Sequence, residues 1–239
     1  MLAVDRRINV SKPGVRHAGR PDFCHPNTRL LIFAKAPVAG QAKTRLTPPL
    51  SAAEAALLHA RFIQRMLSVA CESNLCPVQL WCSPEARHPF FTDCRRSFPV
   101  SLHTQHGADL GERMRQAAAS ALAESDYALL IGCDCPTLTA AYLRQALTAL
   151  KKGYNAVLGP AEDGGYVLLG LRHADPELFG GIAWGTDTVL DSTRSRLRRL
   201  KWRWHELAEQ WDVDRPEDLM RLKRNTAVAE EVGLSTLSG

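Results

Sequence analysis

Several features are missing from this 239-residue sequence, and each absence narrows what it can be. No apolar run approaches the roughly 20 residues that span a bilayer, so no membrane span is expected. The opening residues Met1–Arg29 contain no apolar stretch of the kind a secretory leader needs. Aromatic residues are few, at 7%. The net charge is only +5, and residues 1–27, with five cations against two acids, carry +3 of it. The remaining +2 is too small a surplus to argue for a nucleic-acid partner. The seven cysteines are an odd number, in a chain too long to need a disulfide framework. Free, mostly buried thiols in a reducing cytoplasm are the expectation. Cys133 and Cys135 flank an acid, but no second Cys or His pair stands at zinc spacing.

What remains is a globular composition, 45% apolar, that suits one large α/β domain. Residues 1–28, rich in Arg, Pro and Gly, are expected as a disordered basic arm. Residues 29–225 are expected to form the domain, and 226–239 a C-terminal tail. No internal repeat is visible. At the centre lies Tyr127–Leu138, in which Ala128–Gly132 reads as a strand buried on both faces. Asp134 follows that strand directly, at the end where open α/β sheets bind ligands. An acid there either caps the turn before the next helix or pairs with something cationic.

Around that strand the pattern alternates. Strands are expected at Arg29–Ala34, Val78–Cys82, Val100–Thr104, Asn155–Gly159, Tyr166–Leu171 and Trp202–Leu207. Helices are expected at Ser51–Glu72, opened by a Ser51/Glu54 capping box, and from an Asp109 cap to about Ser125. Further helices should cover Ala140–Lys152, Thr186–Leu200 and Pro216–Arg224. Alternating strands and helices imply a mostly parallel sheet with helices on both faces.

Three strand ends carry chemistry. The first strand delivers Lys35, Gly40, Lys43, Thr44 and Arg45, a basic loop suited to phosphate oxygens. It lacks the first glycine of a Walker-type loop. Glu162-Asp163-Gly164-Gly165-Tyr166 is a strong turn signal, and equally a place where backbone could approach a ligand whose hydroxyls meet the acids. Trp211-Asp212-Val213-Asp214 ends just before a helix, so Asp214 is either its N-cap or joins Asp134 on one Mg²⁺ or Mn²⁺ ion. The run Arg194, Arg196, Arg198, Arg199, Lys201, Arg203 reads as a solvated face.

Five motifs, in order, resemble a known family: Phe33-x-Lys35-x-Pro37-x-x-Gly40-x-x-Lys43-Thr44-Arg45-Leu46, Gln105-x-Gly107-x-Asp109-Leu-Gly111-Glu-Arg113-Met, Gly132-x-Asp134-x-Pro136-x-Leu138, Asp163-Gly-Gly-Tyr166 and Asp212-Val-Asp214-x-Pro-Glu-Asp. The family is the GT-A-fold nucleotide-diphospho-sugar transferases known as radical-SAM/selenodomain-associated transferases or arsenosugar-biosynthesis glycosyltransferases. The sequence is similar, more distantly, to 2-phospho-lactate guanylyltransferases and molybdenum-cofactor nucleotidyltransferases. The resemblance spans roughly 29–220 and implies a single-domain GT-A-like, Rossmann-like fold with nucleotide over the first loop and metal at Asp134.

Two departures stand out: the glycine-rich loop is reduced to Gly40, and the Asp-x-Asp of many glycosyltransferases is Cys133-Asp134-Cys135. The resulting expectation is a metal-dependent glycosyltransferase using a nucleotide-diphospho-sugar. Asp134 and Asp214 would hold Mg²⁺ or Mn²⁺, Lys43 and Arg45 would neutralise the leaving phosphate, and Asp163 would position the acceptor or act as base. Lys35, Gly40, Asp109, Arg113, Gly164, Gly165 and Tyr166 complete the nucleotide-binding candidates. The alternatives are a guanylyl-, cytidylyl- or uridylyltransferase releasing pyrophosphate, and a non-catalytic nucleotide-binding module.

Overall fold

The computed structural model describes residues 22–237; the expected basic arm lies mostly outside them. Among the described residues seven strands form one sheet: β1 (Thr28–Lys35), β2 (Val78–Ser83), β3 (Val100–Thr104), β4 (Tyr127–Ile131), β5 (Ala156–Pro160), β6 (Tyr166–Leu171) and β7 (Trp204–Glu206). Their order is β3-β2-β1-β4-β6-β5-β7. All pairings are parallel except those of β6, which runs antiparallel to both β4 and β5. The single-domain, mostly parallel GT-A-like α/β fold read from the sequence is therefore present.

The helices are α1 (Ala52–Glu72), α2 (Pro89–Ser97), α3 (Leu110–Leu122), α4 (Ala140–Lys151), α5 (Pro176–Phe179), α6 (Val189–Arg199), α7 (Pro216–Arg224) and α8 (Thr226–Glu231). The Ser51/Glu54 capping box closes in both directions: the Ser51 hydroxyl accepts from the Glu54 amide at 3.2 Å and Glu54 Oε2 accepts from the Ser51 amide at 2.8 Å. Asp109 caps α3 by accepting from the Glu112 amide at 2.8 Å, while Glu112 turns away to Arg115 and Gln116.

Strand residues alternate between two cores. Leu30 and Ile32 of β1, Leu129 and Ile131 of β4 pack with α1 and α4 on one side. Leu31, Trp81, Ala128 and Leu130 pack with α3 and α6 on the other. A third core joins Leu58 and Phe62 of α1 to Trp211, Val213, Leu219 and Leu222. Val228, Val232, Leu234 and Leu237 belong to it too, so the segment expected as a tail carries α8 and packs on the domain. All seven cysteines are free thiols. Among the described residues no helix is long and apolar enough to cross a membrane.

Candidate active site

The chain must turn off the sheet at the carboxyl ends of β1 and β4, and these two exits bring the site together. After β1 the backbone reaches Lys43, which takes left-handed dihedrals (φ 51°, ψ 39°) before a 3₁₀ turn over Thr44–Leu46. A non-glycine residue in that region is costly unless its side chain is anchored. Lys43 is anchored: its side chain is 4% exposed, and Nζ donates to the Val213 carbonyl at 2.6 Å. It also lies 2.8 Å from Asp134 Oδ2 and 3.8 Å from Asp214 Oδ1. Arg45 Nη1 reaches Asp214 Oδ2 at 2.6 Å from a largely exposed position.

The sequence did not single out His59. It faces inward from α1, 6% exposed, with Nε2 3.0 Å from the Lys35 carbonyl and Nδ1 3.4 Å from Asp134 Oδ1. At that distance the second contact is electrostatic rather than a full hydrogen bond, and Asp134 Oδ1 is buried with no hydrogen-bond partner among the described residues. Its signal was present: a polar side chain one residue past Leu58, on the buried stripe of an amphipathic helix.

Electrostatics divide the acids. Burial opposes ionisation of Asp134, but the Lys43 ammonium, assisted by His59, overcomes it and holds the carboxyl well below the ordinary carboxylate range. Asp212 behaves oppositely: burial, and then the nearby Asp163 and Asp134 charges, push it up to about 6. Asp212 was not among the expected site residues, because sequence alone does not say which of two alternate acids points inward.

The remaining candidates separate into site and scaffold. Asp214 is not the cap of α7. That role falls to Asp218, whose Oδ2 accepts from the Asp214 and Arg215 amides at 3.0 and 2.7 Å, freeing the Asp214 carboxylate for Arg45 and Lys43. Asp163 Oδ1 accepts from the Gly165 amide at 2.9 Å. Gly164 has φ 85°, and an added Cβ would run into the Asp187 carbonyl oxygen, so the turn and the 180–188 loop meet backbone to backbone. Tyr166 lines the cleft, its hydroxyl pushed up by burial. Lys35 Nζ bonds the Gln41 carbonyl at 2.8 Å, bracing its own loop, and Gly40 is an exposed tip. Asp109 is spent as a helix cap, and Arg113 Nε donates to the Gly107 carbonyl at 3.1 Å.

These residues surround a cleft with two lobes. The inner lobe, about 330 Å³, is lined by Phe33, Leu110, Met114, Gly132, Tyr166 and Trp184. The outer, about 550 Å³, is polar and includes Glu162, Thr186, Asp187 and Arg215. Arg45, Asp163, Asp212 and Asp214 border both, forming the neck. Among the described residues no group of three His, Cys, Asp or Glu side chains is placed to hold a metal ion. The fit to Mg²⁺ or Mn²⁺ nonetheless holds in kind. The unpartnered Asp134 Oδ1 and the crowded acids Asp212 and Asp163 are oxygen donors of the kind Mg²⁺ takes, and Mg²⁺ is commonly held by only one or two carboxylates plus substrate phosphates.

Solved structures share this fold. A candidate nucleotide-diphospho-sugar transferase from Desulfovibrio desulfuricans G20 superposes with a TM-score of 0.75 at 29% identity, covering 87% of this chain and 98% of that one. A cytidylyltransferase from Leptospira borgpetersenii serovar Hardjo-bovis shares the fold at TM-score 0.53 and 13% identity, over 85% of this chain and 97% of that one. CMP:2-keto-3-deoxy-manno-octonic acid synthetase, solved with CTP, does so at 0.52 and 11%, over 84% and 98%. No curated protein matches the sequence. The chain belongs to the bacterial family described as "Uncharacterized protein conserved in bacteria (DUF2064)", which matches residues 66–186. That span includes Asp134 and Asp163 but neither Lys43 nor Asp214.

Proposed function

We propose that this protein is a metal-dependent transferase that uses an activated nucleotide, and that it transfers a glycosyl group from a nucleotide-diphospho-sugar. One observation carries the reading. Lys43 sits within 2.8 Å of Asp134 and 3.8 Å of Asp214, the latter bordering both lobes of the cleft, so a loop cation and two acids from three distant segments converge on one point. The β1 loop and the acids then divide the work on a diphosphate. Lys43 and Arg45 take up charge developing on the leaving phosphate. Asp134 and Asp214 hold Mg²⁺ or Mn²⁺, which when bound supplies Lewis-acid neutralisation of the diphosphate. Asp212, pushed up to about 6, and Asp163 also border the neck, where an acceptor hydroxyl needs a base or an orienting acceptor.

The relative named as a candidate nucleotide-diphospho-sugar transferase supports this reading. So does the motif resemblance to arsenosugar-biosynthesis glycosyltransferases over roughly residues 29–220, which favours glycosyl transfer. Seven free thiols suit a reducing cytoplasm. A second reading, nucleotidyl transfer, is favoured by the exposure of Arg45, a cleft cation with donors left for the additional phosphate of a triphosphate. The test is the product formed with nucleotide-sugars and with nucleoside triphosphates plus Mn²⁺: free nucleoside diphosphate supports glycosyl transfer, pyrophosphate the alternative. Nucleotide binding without either product would indicate a binding module.

A further inference from the structure

The inner lobe has a feature that phosphate and sugar chemistry does not explain. Across three adjacent parallel strands, β1, β2 and β3, the register aligns Phe33 with Trp81 and Trp81 with His103. Their rings stack in a row, Phe33 on Trp81 at 6.3 Å with planes 11° apart, and Trp81 on His103 at 4.8 Å and 19°. Two rungs are pinned from the residue two positions earlier: Trp81 Nε1 donates to Gln79 Oε1 at 3.0 Å, and His103 Nε2 lies 2.9 Å from Ser101 Oγ. The row is thus held rigid before any ligand arrives.

On β4 the row stops. Ile32 pairs with Ile131, so Gly132 stands one step on, beside Phe33. Ala128 and Leu130 share the core of Leu31 and Trp81, so by alternation Gly132 faces the same side. Neither conformation nor crowding demands glycine here. Its φ lies outside the left-handed range, and an added Cβ would meet nothing within 4 Å. The place where a fourth ring would continue the row is open, and it opens into the lobe walled by Leu110, Met114, Tyr166 and Trp184.

We propose that the inner lobe takes a planar unsaturated ring of the ligand, seated over Gly132 as the fourth rung on Phe33. The proposal rests on this cleft being the active site and adds a substrate class to it: one reactant carries a flat ring, either the base of the nucleotide donor or an aromatic acceptor. Offset stacking between such rings favours a flat partner over a puckered one of equal size by about two- to tenfold.

The test uses the full chain and saturation-transfer NMR with five flat probes, the four ribonucleosides and p-cresol, against cyclohexanol as a puckered control. Inorganic pyrophosphate is titrated in parallel with Mg²⁺ present. At least one flat probe should bind through its ring protons, with cyclohexanol weaker. Gly132→Val should weaken that probe by about tenfold or more, and Phe33→Leu by about two- to tenfold. Both should leave pyrophosphate binding intact. Binding of a nucleoside assigns the ring to the donor, binding of p-cresol alone to the acceptor. If Gly132→Val fails to fold, Gly132→Ala is the smaller plug, expected to act in the same direction. The proposal is overturned if no flat probe binds, if cyclohexanol binds equally well, or if the plugged variant binds the ring like wild type. Retained pyrophosphate binding in those cases leaves the active-site reading standing, whereas its absence from wild type removes that reading as well.

Discussion

The Lys43 ammonium and the Asp134 carboxylate meet at 2.8 Å between the loop after β1 and the end of β4, and this contact organises the site. Lys43 is almost fully buried, so its partner is what keeps its charge tolerable there. Lys43→Met should lower stability by about 1–2 kcal/mol, the lower part of the range for charged hydrogen bonds because Asp134 is partly open to solvent. Chemical denaturation of the apo protein measures it. An unchanged midpoint would mean the pair contributes nothing to the fold.

The same pair sets an acid dependence. The folded-state pKa of Asp134 is depressed, so its contribution is present above the ordinary carboxylate value, about 4, and is lost as pH falls below it. Asp134→Asn should flatten that part of the stability–pH curve. A variant whose acid limb parallels wild type would contradict the assignment.

Asp212 should act with the opposite sign. A carboxyl raised to about 6 in the folded state weakens folding once pH rises above its unfolded value, fully so above about pH 6. Asp212→Asn should therefore raise Tm by about 2–4 °C at pH 8 and change little at pH 4. Activity with nucleotide and metal should fall in the same variant, as expected when a site stores unfavourable charge for function.

Asp214 and Asp218 separate function from capping. Asp218→Ala removes the acceptor of two backbone amides at the start of α7 and should cost about 1 kcal/mol, or about 2–4 °C. Asp214→Asn should leave the apo Tm nearly unchanged. If Asp214→Asn is the more destabilising of the two in the apo protein, the capping roles are reversed.

Two glycines give a further contrast. Gly164→Ala should lower both Tm and turnover, because its Cβ would collide with the Asp187 backbone and displace the 180–188 loop at the cleft. Gly40→Ala, also at positive φ (76°) but with open space around it, should cost only about 1–2 kcal/mol and leave catalysis largely intact.

The sheet was legible because its strands are short apolar runs bounded by turn residues, and the α1 and α3 caps because Ser51/Glu54 and Asp109/Glu112 have the required spacing. The strand spans came within two residues of those observed. Helix α2 was missed: Pro89–Ser97 buries only Phe91 and Cys94, too few apolar positions to show a period. Helix α8 was missed because its stability comes from packing on α1 and α7 rather than from local pattern. At the site, Lys43, Arg45, Asp134 and Asp214 were visible as charges at element ends. The pairing of Asp212 with Asp163 depends on tertiary approach and leaves no local trace, whereas His59 on the buried stripe of α1 and Asp218 three residues past Arg215 had local signals that went unread.

The most direct measurement of the central claim is the melting temperature with a nucleoside diphosphate and Mn²⁺, compared with EDTA, in wild type, Asp134→Asn and Asp214→Asn. Ligand at about 100 times its dissociation constant stabilises by about 2.7 kcal/mol, or about 5–10 °C for a domain of this size. Wild type should show that shift only with metal. Each single variant should abolish the metal-dependent part, and the double variant should lose little more, because the two carboxylates act as a unit. A full metal-dependent shift in Asp134→Asn would contradict the account.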